Sequence, residues 1–234
     1  MNTLLQPKPI QFKFGEYLNK GFELFKKDMG TFIIATIFAM IMGLIPFVGG
    51  LLALGNFMKL ARKINYGQQA SATEIFNFDD VIAYLKLVGV IILAATVIQV
   101  PVFMTFALFG VEEKQLVATS DIPTGVIVLM IVLFFVIFYF LLKAFYMVSL
   151  ISLENIKSIR QAWKISSEMT KGNLLTLLGF SIVAGIIGAL GNLACGIGLL
   201  ISAPLMYVIQ YSSYEDGIQQ IKVDELEEIG KISE

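Results

Sequence analysis

The side chains in this sequence that could carry out chemistry are few and widely spaced. There is no histidine, and Cys195 is the only cysteine, so a Cys/His metal site and an intrachain disulfide are both excluded. The acidic pairs Asp79-Asp80 and Glu112-Glu113 flank one apolar stretch at opposite ends, so we interpret them as solvated helix ends rather than as an acid and a base. Cys195 has no neighbouring base and is interpreted as structural. The sequence therefore predicts no catalytic, cofactor-binding or metal-binding residue.

Two lysines lie inside long apolar runs, where a cation is by default a functional-site hypothesis. Along a helix, Lys86 would lie about 9 Å from Asp80, and Lys143 about 14 Å from Ser152. At these depths both side chains can extend to the same interface, so we interpret them as interface anchors. A polar cavity shared between the two helices is the alternative.

The elements that carry these side chains are predicted to be membrane helices. Of the 234 residues, 57% are hydrophobic and 15% are charged, and the mean hydropathy is +0.80, unlike an ordinary soluble domain. The net charge of −1 comes without a clustered basic face, which argues against a nucleic-acid partner. Residues 1–29 carry charges throughout and lack the apolar core of a signal peptide, so we expect a cytosolic N-terminal segment.

The stretch IPFVGGLLALGNF interrupts an apolar run with Pro46, Gly49 and Gly50. The apolar segments on either side are each shorter than the ~20 residues that cross a hydrocarbon core, while together they exceed what one helix needs. Because proline removes a backbone donor and glycines permit positive φ, the pattern predicts a helical hairpin over residues 31–64, the first hairpin. A single kinked helix is the alternative.

A similar pattern returns near the C-terminus, where NLACGIG divides the apolar residues 173–214, the second hairpin. We interpret Gly196 and Gly198 as its turn rather than as a nucleotide-binding loop, because no βαβ pattern surrounds them. Both ends of the chain show the same order of parts, which predicts an internal repeat about a pseudo-symmetry axis.

Small residues recur at short, regular steps in the first helix of the second hairpin. Their spacing is typical of interfaces where two helix backbones approach closely. We expect helix packing within the chain, with a contact to another copy or another membrane protein as the alternative. The glycines concerned are Gly185, Gly188 and Gly191.

Residues 12–29 and 154–171 combine aromatic or aliphatic residues at helical spacing with several lysines. This combination is typical of amphipathic helices that lie in the interface and meet anionic headgroups. We therefore predict two interfacial helices, with Trp163 as an interface anchor of the second.

The predicted fold is an all-α polytopic membrane helix bundle with about six membrane segments. Two pseudo-repeated hairpins flank two long helices, residues 80–110 and 124–152, inside a single transmembrane domain of residues 30–217. An acidic cytosolic tail, residues 218–234, follows. All Lys and Arg residues except Lys114 fall on one side, so the positive-inside rule places both termini in the cytosol and residues 111–123 outside.

Two segments resemble a known family: IPFVGG with ARKINYGQQASATEIF, and TKGN with LLGFSIVAGIIGALGNLACGIGLLISAPLMYVIQYSSYED. They are similar to bacterial six-helix membrane proteins grouped with the glycerophosphoryl diester phosphodiesterase membrane domain. The resemblance covers most of residues 15–217 and rests on glycines and apolar residues. It implies a multi-pass protein of the bacterial inner membrane. It implies no activity, because the family name comes from fusions to a phosphodiesterase domain that this sequence does not contain.

Two classes of function are favoured, and an intramembrane enzyme is a third. The first is a non-enzymatic scaffold or accessory subunit that acts through contacts with membrane lipids, other membrane proteins or further copies of itself. The alternative is a small transporter or lipid-handling protein with a path between the two hairpins. A polar-lined cavity open to one side would favour the alternative, whereas a solid glycine-packed bundle would favour the scaffold.

Overall fold

The computed structural model describes residue 5 and residues 7–109, 124–193 and 198–232; residues 101–102, 105–109, 192–193 and 223–232 are described as helix backbone only. Over these residues the chain is all-helical, with no strand, as the composition predicts. The helices are α1 (Phe14–Lys27), α2 (Met29–Met42), α3 (Gly49–Asn65), α4 (Val81–Phe109), α5 (Thr124–Lys143), α6 (Met147–Leu153), α7 (Ile159–Met169), α8 (Leu174–Leu193) and α9 (Leu199–Ile232), with a short 3-10 turn at Ala72–Phe76 between α3 and α4.

Among the described residues, three stretches are long and apolar enough to cross a membrane. The 20-residue stretch in α4 is about 30 Å long at ~1.5 Å per residue, which matches a hydrocarbon core. Many of its large apolar side chains are exposed, as expected of surfaces that face lipid. Helix α2 is apolar but shorter, with 14 residues. The three stretches are Val81–Val100, Thr124–Leu153 and Leu174–Gly191.

The chain divides into two compact units. One unit, Lys86–Leu141, contains most of α4 and α5. The other combines Met1–Leu85 with Leu142–Glu234 and contains α1 to α3, α6 to α9 and the start of α4.

Helix α9 is central to the larger unit, where it packs against α1, α2, α3 and α8. Helix α3 packs in turn against α2, α6 and the 3-10 turn. The buried side chains at these contacts include several large aromatic residues, which dominate core packing. Examples that are almost completely buried are Tyr17, Phe32, Phe57, Tyr211 and Tyr214.

The amphipathic pattern of residues 12–29 forms α1, but its apolar face is covered by protein. Tyr17, Gly21, Leu24 and Phe25 share that face and are all buried. A Cβ atom built at Gly21 would lie 2.7 Å from the Cα atom of Ile209, so α1 and α9 approach closely at this glycine. The hydrophobic face that the sequence assigned to lipid is therefore used to attach α1 to α9.

The second predicted amphipathic segment, residues 154–171, is helical over a shorter range. Helix α7 covers Ile159–Met169 and begins after Ser158, whose Oγ atom accepts a hydrogen bond from the Gln161 amide at 3.4 Å. Asn155 has a φ of 55°, in the left-handed region that asparagine tolerates better than most residues. The chain therefore turns at 154–158 before α7 starts.

The expected interruption at Pro46 lies between α2 and α3, which pack against each other. The positive φ falls at Phe47, with a value of 65°, rather than at either glycine. Gly49 has a different role, because a Cβ atom there would overlap the carbonyl oxygen of Met42. Glycine at this position thus permits a close backbone approach, and Gly50 continues the first turn of α3.

The second hairpin is described on both sides of its predicted turn. Gly196 and Cys195 lie outside the described residues, and Gly198 immediately precedes α9. A Cβ atom at Gly191 would lie 2.8 Å from the carbonyl carbon of Gly198, so the two helices approach closely at this end. The loop predicted to face outward, residues 111–123, also lies outside the described residues.

Candidate functional site

The most distinctive feature of the larger unit is a set of buried and partly buried charges, arranged in three clusters. The first, the Asp80 cluster, centres on a carboxylate that precedes α4 and is 2% exposed. Asp80 pairs with Lys59 of α3 at 2.7 Å and with Lys157 of the connection before α7. Ser152 of α6 donates a hydrogen bond to Asp80 at 3.1 Å, and its Oγ atom lies 2.6 Å from the Tyr84 hydroxyl. One carboxylate thus connects α3, α4, α6 and the approach to α7.

The second group, the Arg62 cluster, centres on a guanidinium near the end of α3. Arg62 Nη2 lies 2.9 Å from Glu154 and 3.0 Å from Glu215, while Nη1 donates to the Leu153 carbonyl at 3.0 Å. A planar guanidinium suits such multiple contacts because its donors are fixed in a fork. Lys222 also pairs with Glu154, at 2.8 Å. This cluster joins α3, the end of α6 and α9.

The third group, the Asp216 cluster, fixes α1 to α9. The Tyr17 hydroxyl donates to Asp216 at 2.9 Å, and Gln220 donates to the same carboxylate oxygen at 2.7 Å. Lys13 and Lys20 lie 3.7 and 3.5 Å from the other oxygen. The apolar contact between α1 and α9 is therefore accompanied by a polar one.

Opposing effects set the pKa values of the two central carboxylates. Burial raises the pKa of Asp80, but hydrogen bonds and charges from Lys157 and Lys59 outweigh it, so the net pKa lies below its usual range. Burial likewise raises the pKa of Asp216, and the hydrogen bonds from Tyr17 and Gln220 reverse the shift, so that its pKa is also lowered. Both groups are therefore held as carboxylates at neutral pH.

Two tyrosine hydroxyls beside these clusters are held in the protonated form. Burial is the main cause that raises the pKa of Tyr17, with the neighbouring Asp216 adding to the effect. The Tyr66 hydroxyl donates to Glu215 at 2.7 Å, and this hydrogen bond is the main cause of its raised pKa. Both hydroxyls therefore act as donors to carboxylates rather than as proton acceptors.

The clusters are suited to holding helices together rather than to binding a metal. Among the residues that the structure describes, no group of three or more Cys, His, Asp or Glu side chains could hold a metal ion. Each of the central carboxylates is already satisfied by cations and hydroxyls. A charge buried in this way is costly when its partner is removed, so such networks fix one arrangement of the helices.

A polar cavity of about 290 Å³ adjoins the clusters, between α1, α3 and α9. Most of its lining comes from α1 and α9, and α3 contributes Asn65. Charged, hydroxyl and amide side chains make up most of its lining: Lys20, Glu23, Leu24, Lys27, Asn65, Tyr211, Ser212, Glu215, Asp216 and Gln219.

The residues predicted as interface anchors have different surroundings. Lys86 is exposed on α4. Lys143 is only 8% exposed, and its Nζ atom donates to the Ser167 carbonyl at 3.0 Å, which ties the end of α5 to α7. Trp163 is half-buried on α7.

The three glycines predicted to pack helices also differ from one another. Gly191 faces the start of α9, and a Cβ atom at Gly188 would meet the Met206 sulfur at 3.4 Å. At Gly185, by contrast, a Cβ atom would meet no heavy atom of the described chain within 4 Å, and the residue is exposed. Two of the three glycines therefore serve the contact between α8 and α9.

Sequence reasoning missed the charged clusters. It interpreted Asp80 as a solvated helix start and Arg62 as a topological signal, whereas both are centres of networks. The available signal was the position of acidic residues such as Glu154 and Glu215 at the polar ends of apolar segments, close to lysines. Which pairs form depends on tertiary packing and is not readable from spacing alone.

No family model, no curated protein and no solved structure matches this chain. The resemblance to the glycerophosphoryl diester phosphodiesterase membrane domain therefore stays a prediction that depends on the residues quoted for it.

Proposed function

We propose that this chain is a non-enzymatic membrane scaffold or accessory subunit that acts through contacts within the membrane. The observation that supports it best is the arrangement of the Asp80, Arg62 and Asp216 clusters. Their buried and partly buried ion pairs connect α1, α3, α4, α6 and α9. A rigid set of helices of this kind presents a constant surface to lipids and partners.

The proposal includes a topology. The chain crosses the bacterial inner membrane in six segments, as two pseudo-symmetric hairpins and two long helices, with both termini in the cytosol. The support comes from the Lys and Arg distribution, in which only Lys114 falls on the opposite side. The proposed relation to the phosphodiesterase-associated membrane domains agrees with this count.

The contact proposal is tested by comparing the size of the protein in two settings. Full-length protein is extracted in mild detergent from its native membrane and, separately, after expression alone in a foreign host, and its mass is measured by light scattering. A scaffold or accessory subunit is expected in a larger complex in the native extract. The same monomeric mass in both extracts contradicts the proposal.

A second candidate, a small transporter, is favoured by the 290 Å³ polar cavity that α1, α3 and α9 line. Its test is flux of small polar solutes into vesicles that contain only the purified protein. Ser212→Phe is expected to fill the cavity and abolish flux, while Leu175→Phe, on an exposed site of α8, leaves flux unchanged. If wild-type vesicles show no flux above empty vesicles, the transporter candidate is rejected.

A further inference from the structure

An apolar groove of about 150 Å³ is lined by residues of α8 and α9 together with Phe145, apart from the charged clusters. Phe145 and Phe180 form one end, with ring centroids 6.2 Å apart in an edge-to-face arrangement. Met206 and Gly185 form the other end, and Gln210 lies on the α9 side.

The open space in this groove is created by glycine. A Cβ atom at Gly185 would meet no heavy atom of the described chain within 4 Å, and the residue is exposed. One turn further on, Gly188 is closed off by Met206 at 3.4 Å. The groove is therefore short, bounded by aromatic rings at one end and by helix contact at the other.

Gln210 is the unusual residue of the groove. It is half-buried in the apolar half of α9, and its side-chain amide makes no hydrogen bond with any residue that the structure describes. In a hydrocarbon environment an amide without a partner is unfavourable, so a hydrogen-bond acceptor is expected nearby.

The depth of Gln210 indicates which acceptor is available. It lies about 9 Å before Asp216 along the axis of α9, and the proposed topology places Asp216, with Lys13 and Lys20, in the cytosolic headgroup layer. The polar headgroup region of a bilayer is roughly 5–8 Å thick on each side, so the ester carbonyls of glycerolipids lie just below that layer. An ester carbonyl therefore occurs at about the depth of Gln210.

We propose that this groove binds one acyl chain of a membrane glycerolipid, with the Gln210 amide donating a hydrogen bond to the ester carbonyl of that chain. The volume favours a lipid over a second protein copy, because 150 Å³ holds a short run of methylene groups, whereas a docked helix is about 10 Å wide. The assignment rests on the topology proposed above, because the depth of Gln210 is counted from Asp216, but no residue that lines the groove belongs to a charged cluster.

The first test compares two lipids on the full-length protein. Native mass spectrometry in detergent measures binding of a palmitoyl-oleoyl phosphatidylglycerol and of its ether-linked analogue, which has the same headgroup and chains but no ester carbonyl. The wild type is expected to bind one equivalent of the ester lipid about threefold to tenfold more tightly, the effect of one hydrogen bond. Equal binding of the two lipids overturns the proposal.

The second test uses variants of the groove. Gly185→Leu is expected to fill it and remove the bound lipid, whereas Gly179→Leu, on the same helix with open space around it and outside the groove, retains the lipid. Gln210→Leu is expected to bind the ester and ether lipids equally. Because Gly185→Leu could misfold, its helical content is compared with that of the wild type by circular dichroism. If the helical content of Gly185→Leu differs from that of the wild type, the result for Gln210→Leu alone tests the proposal.

Two results of the variant experiment contradict the lipid assignment. One is retention of the ester lipid by folded Gly185→Leu at the wild-type level. The other is a wild-type dimer that Gly185→Leu converts to a monomer, which assigns the groove to a second copy of the chain.

Discussion

At the scale of single residues, buried charge determines how this protein is held together. Asp80 is almost completely buried, yet it faces two lysines and a serine hydroxyl. Such a network is not a large source of net stability, because desolvation of the charges offsets their attraction. Its effect appears when one partner is removed, since the remaining charges are then left without compensation.

Replacement of Asp80 is expected to destabilise the protein strongly. Asp80→Asn leaves Lys59 and Lys157 facing each other without a carboxylate, and we expect a loss of about 2–4 kcal/mol, because the lysines are partly exposed. Thermal unfolding in detergent measures the change. Asp79→Asn is the matched control, because Asp79 is exposed and contacts only the nearby Asn77 in the described structure. Equal effects of the two substitutions would contradict the role of Asp80.

The lowered pKa values of Asp80 and Asp216 predict that stability depends on acid. Since each folded-state pKa lies below the unfolded value of about 3.9, the stabilisation is complete above that value and is lost as the pH falls through the folded-state pKa. The melting temperature is therefore expected to be steady from pH 7 to 5 and to fall below about pH 4. The double variant Asp80→Asn, Asp216→Asn should show a shallower fall; a fall as steep as that of the wild type would refute this.

Residue types predicted the interruption of the first hairpin but not the ion-pair partners of the buried charges. Proline and glycine correctly marked the interruption between α2 and α3, because the restriction that proline imposes and the freedom that glycine allows both act locally on the backbone. The positive φ nevertheless falls at Phe47, whereas Gly49 lies close to the Met42 carbonyl oxygen, and neither detail is visible in the residue pattern. The partners of Asp80 and Arg62 are distant in sequence, so no local pattern contains them.

At the scale of helices, the close contacts depend on single glycines. Gly21 brings α1 against Ile209 of α9, so a side chain at this position must push the helices apart. Gly21→Leu is expected to destabilise the protein by about 1–3 kcal/mol and to expose the N-terminal segment to protease. Gly15→Leu is its control, because a Cβ atom there meets no described heavy atom within 4 Å. Similar protease sensitivity in both variants would argue against the α1–α9 contact.

The contact between α8 and α9 gives a parallel prediction. A Cβ atom placed on Gly188 would lie 3.4 Å from the Met206 sulfur. The Gly188 carbonyl also accepts a hydrogen bond from the Ser202 hydroxyl at 3.1 Å. Gly188→Leu should therefore cost about 1–3 kcal/mol, whereas Leu190→Ala, at a 57% exposed position, should change stability by less than about 0.5 kcal/mol. Unfolding in detergent ranks the two variants, and the reverse order would show that the helices do not meet at Gly188.

Helical spacing predicted α1 and α7 but not what covers them. An amphipathic pattern shows that one face is apolar, and that face packs equally well on lipid or on another helix. In α1 the covering element is α9, which lies far away in the sequence. Whether lipid or another helix covers the apolar face therefore becomes visible only in the three-dimensional structure.

At the scale of the whole molecule, helix lengths limit how the chain sits in a membrane. Helix α2, with 14 residues, is about 21 Å long and shorter than a hydrocarbon core, while α9, with 34 residues, is about 51 Å long and exceeds it. Apolar composition therefore identifies three clear spans among the described residues. The hairpin pattern adds further segments in the proposed topology.

The proposed topology predicts the side on which two positions react. In a chain with Cys195→Ala, single cysteines are placed at Lys63→Cys, after the first hairpin, and at Lys114→Cys, between the long helices. A membrane-impermeant thiol reagent added to intact cells is expected to label position 114 and to leave position 63 unlabelled until the membrane is opened. The reason is the positive-inside rule, since basic residues cluster around position 63 and only Lys114 falls on the other side. Labelling of position 63 in intact cells would place the end of the first hairpin outside, and the six-segment arrangement would then be wrong.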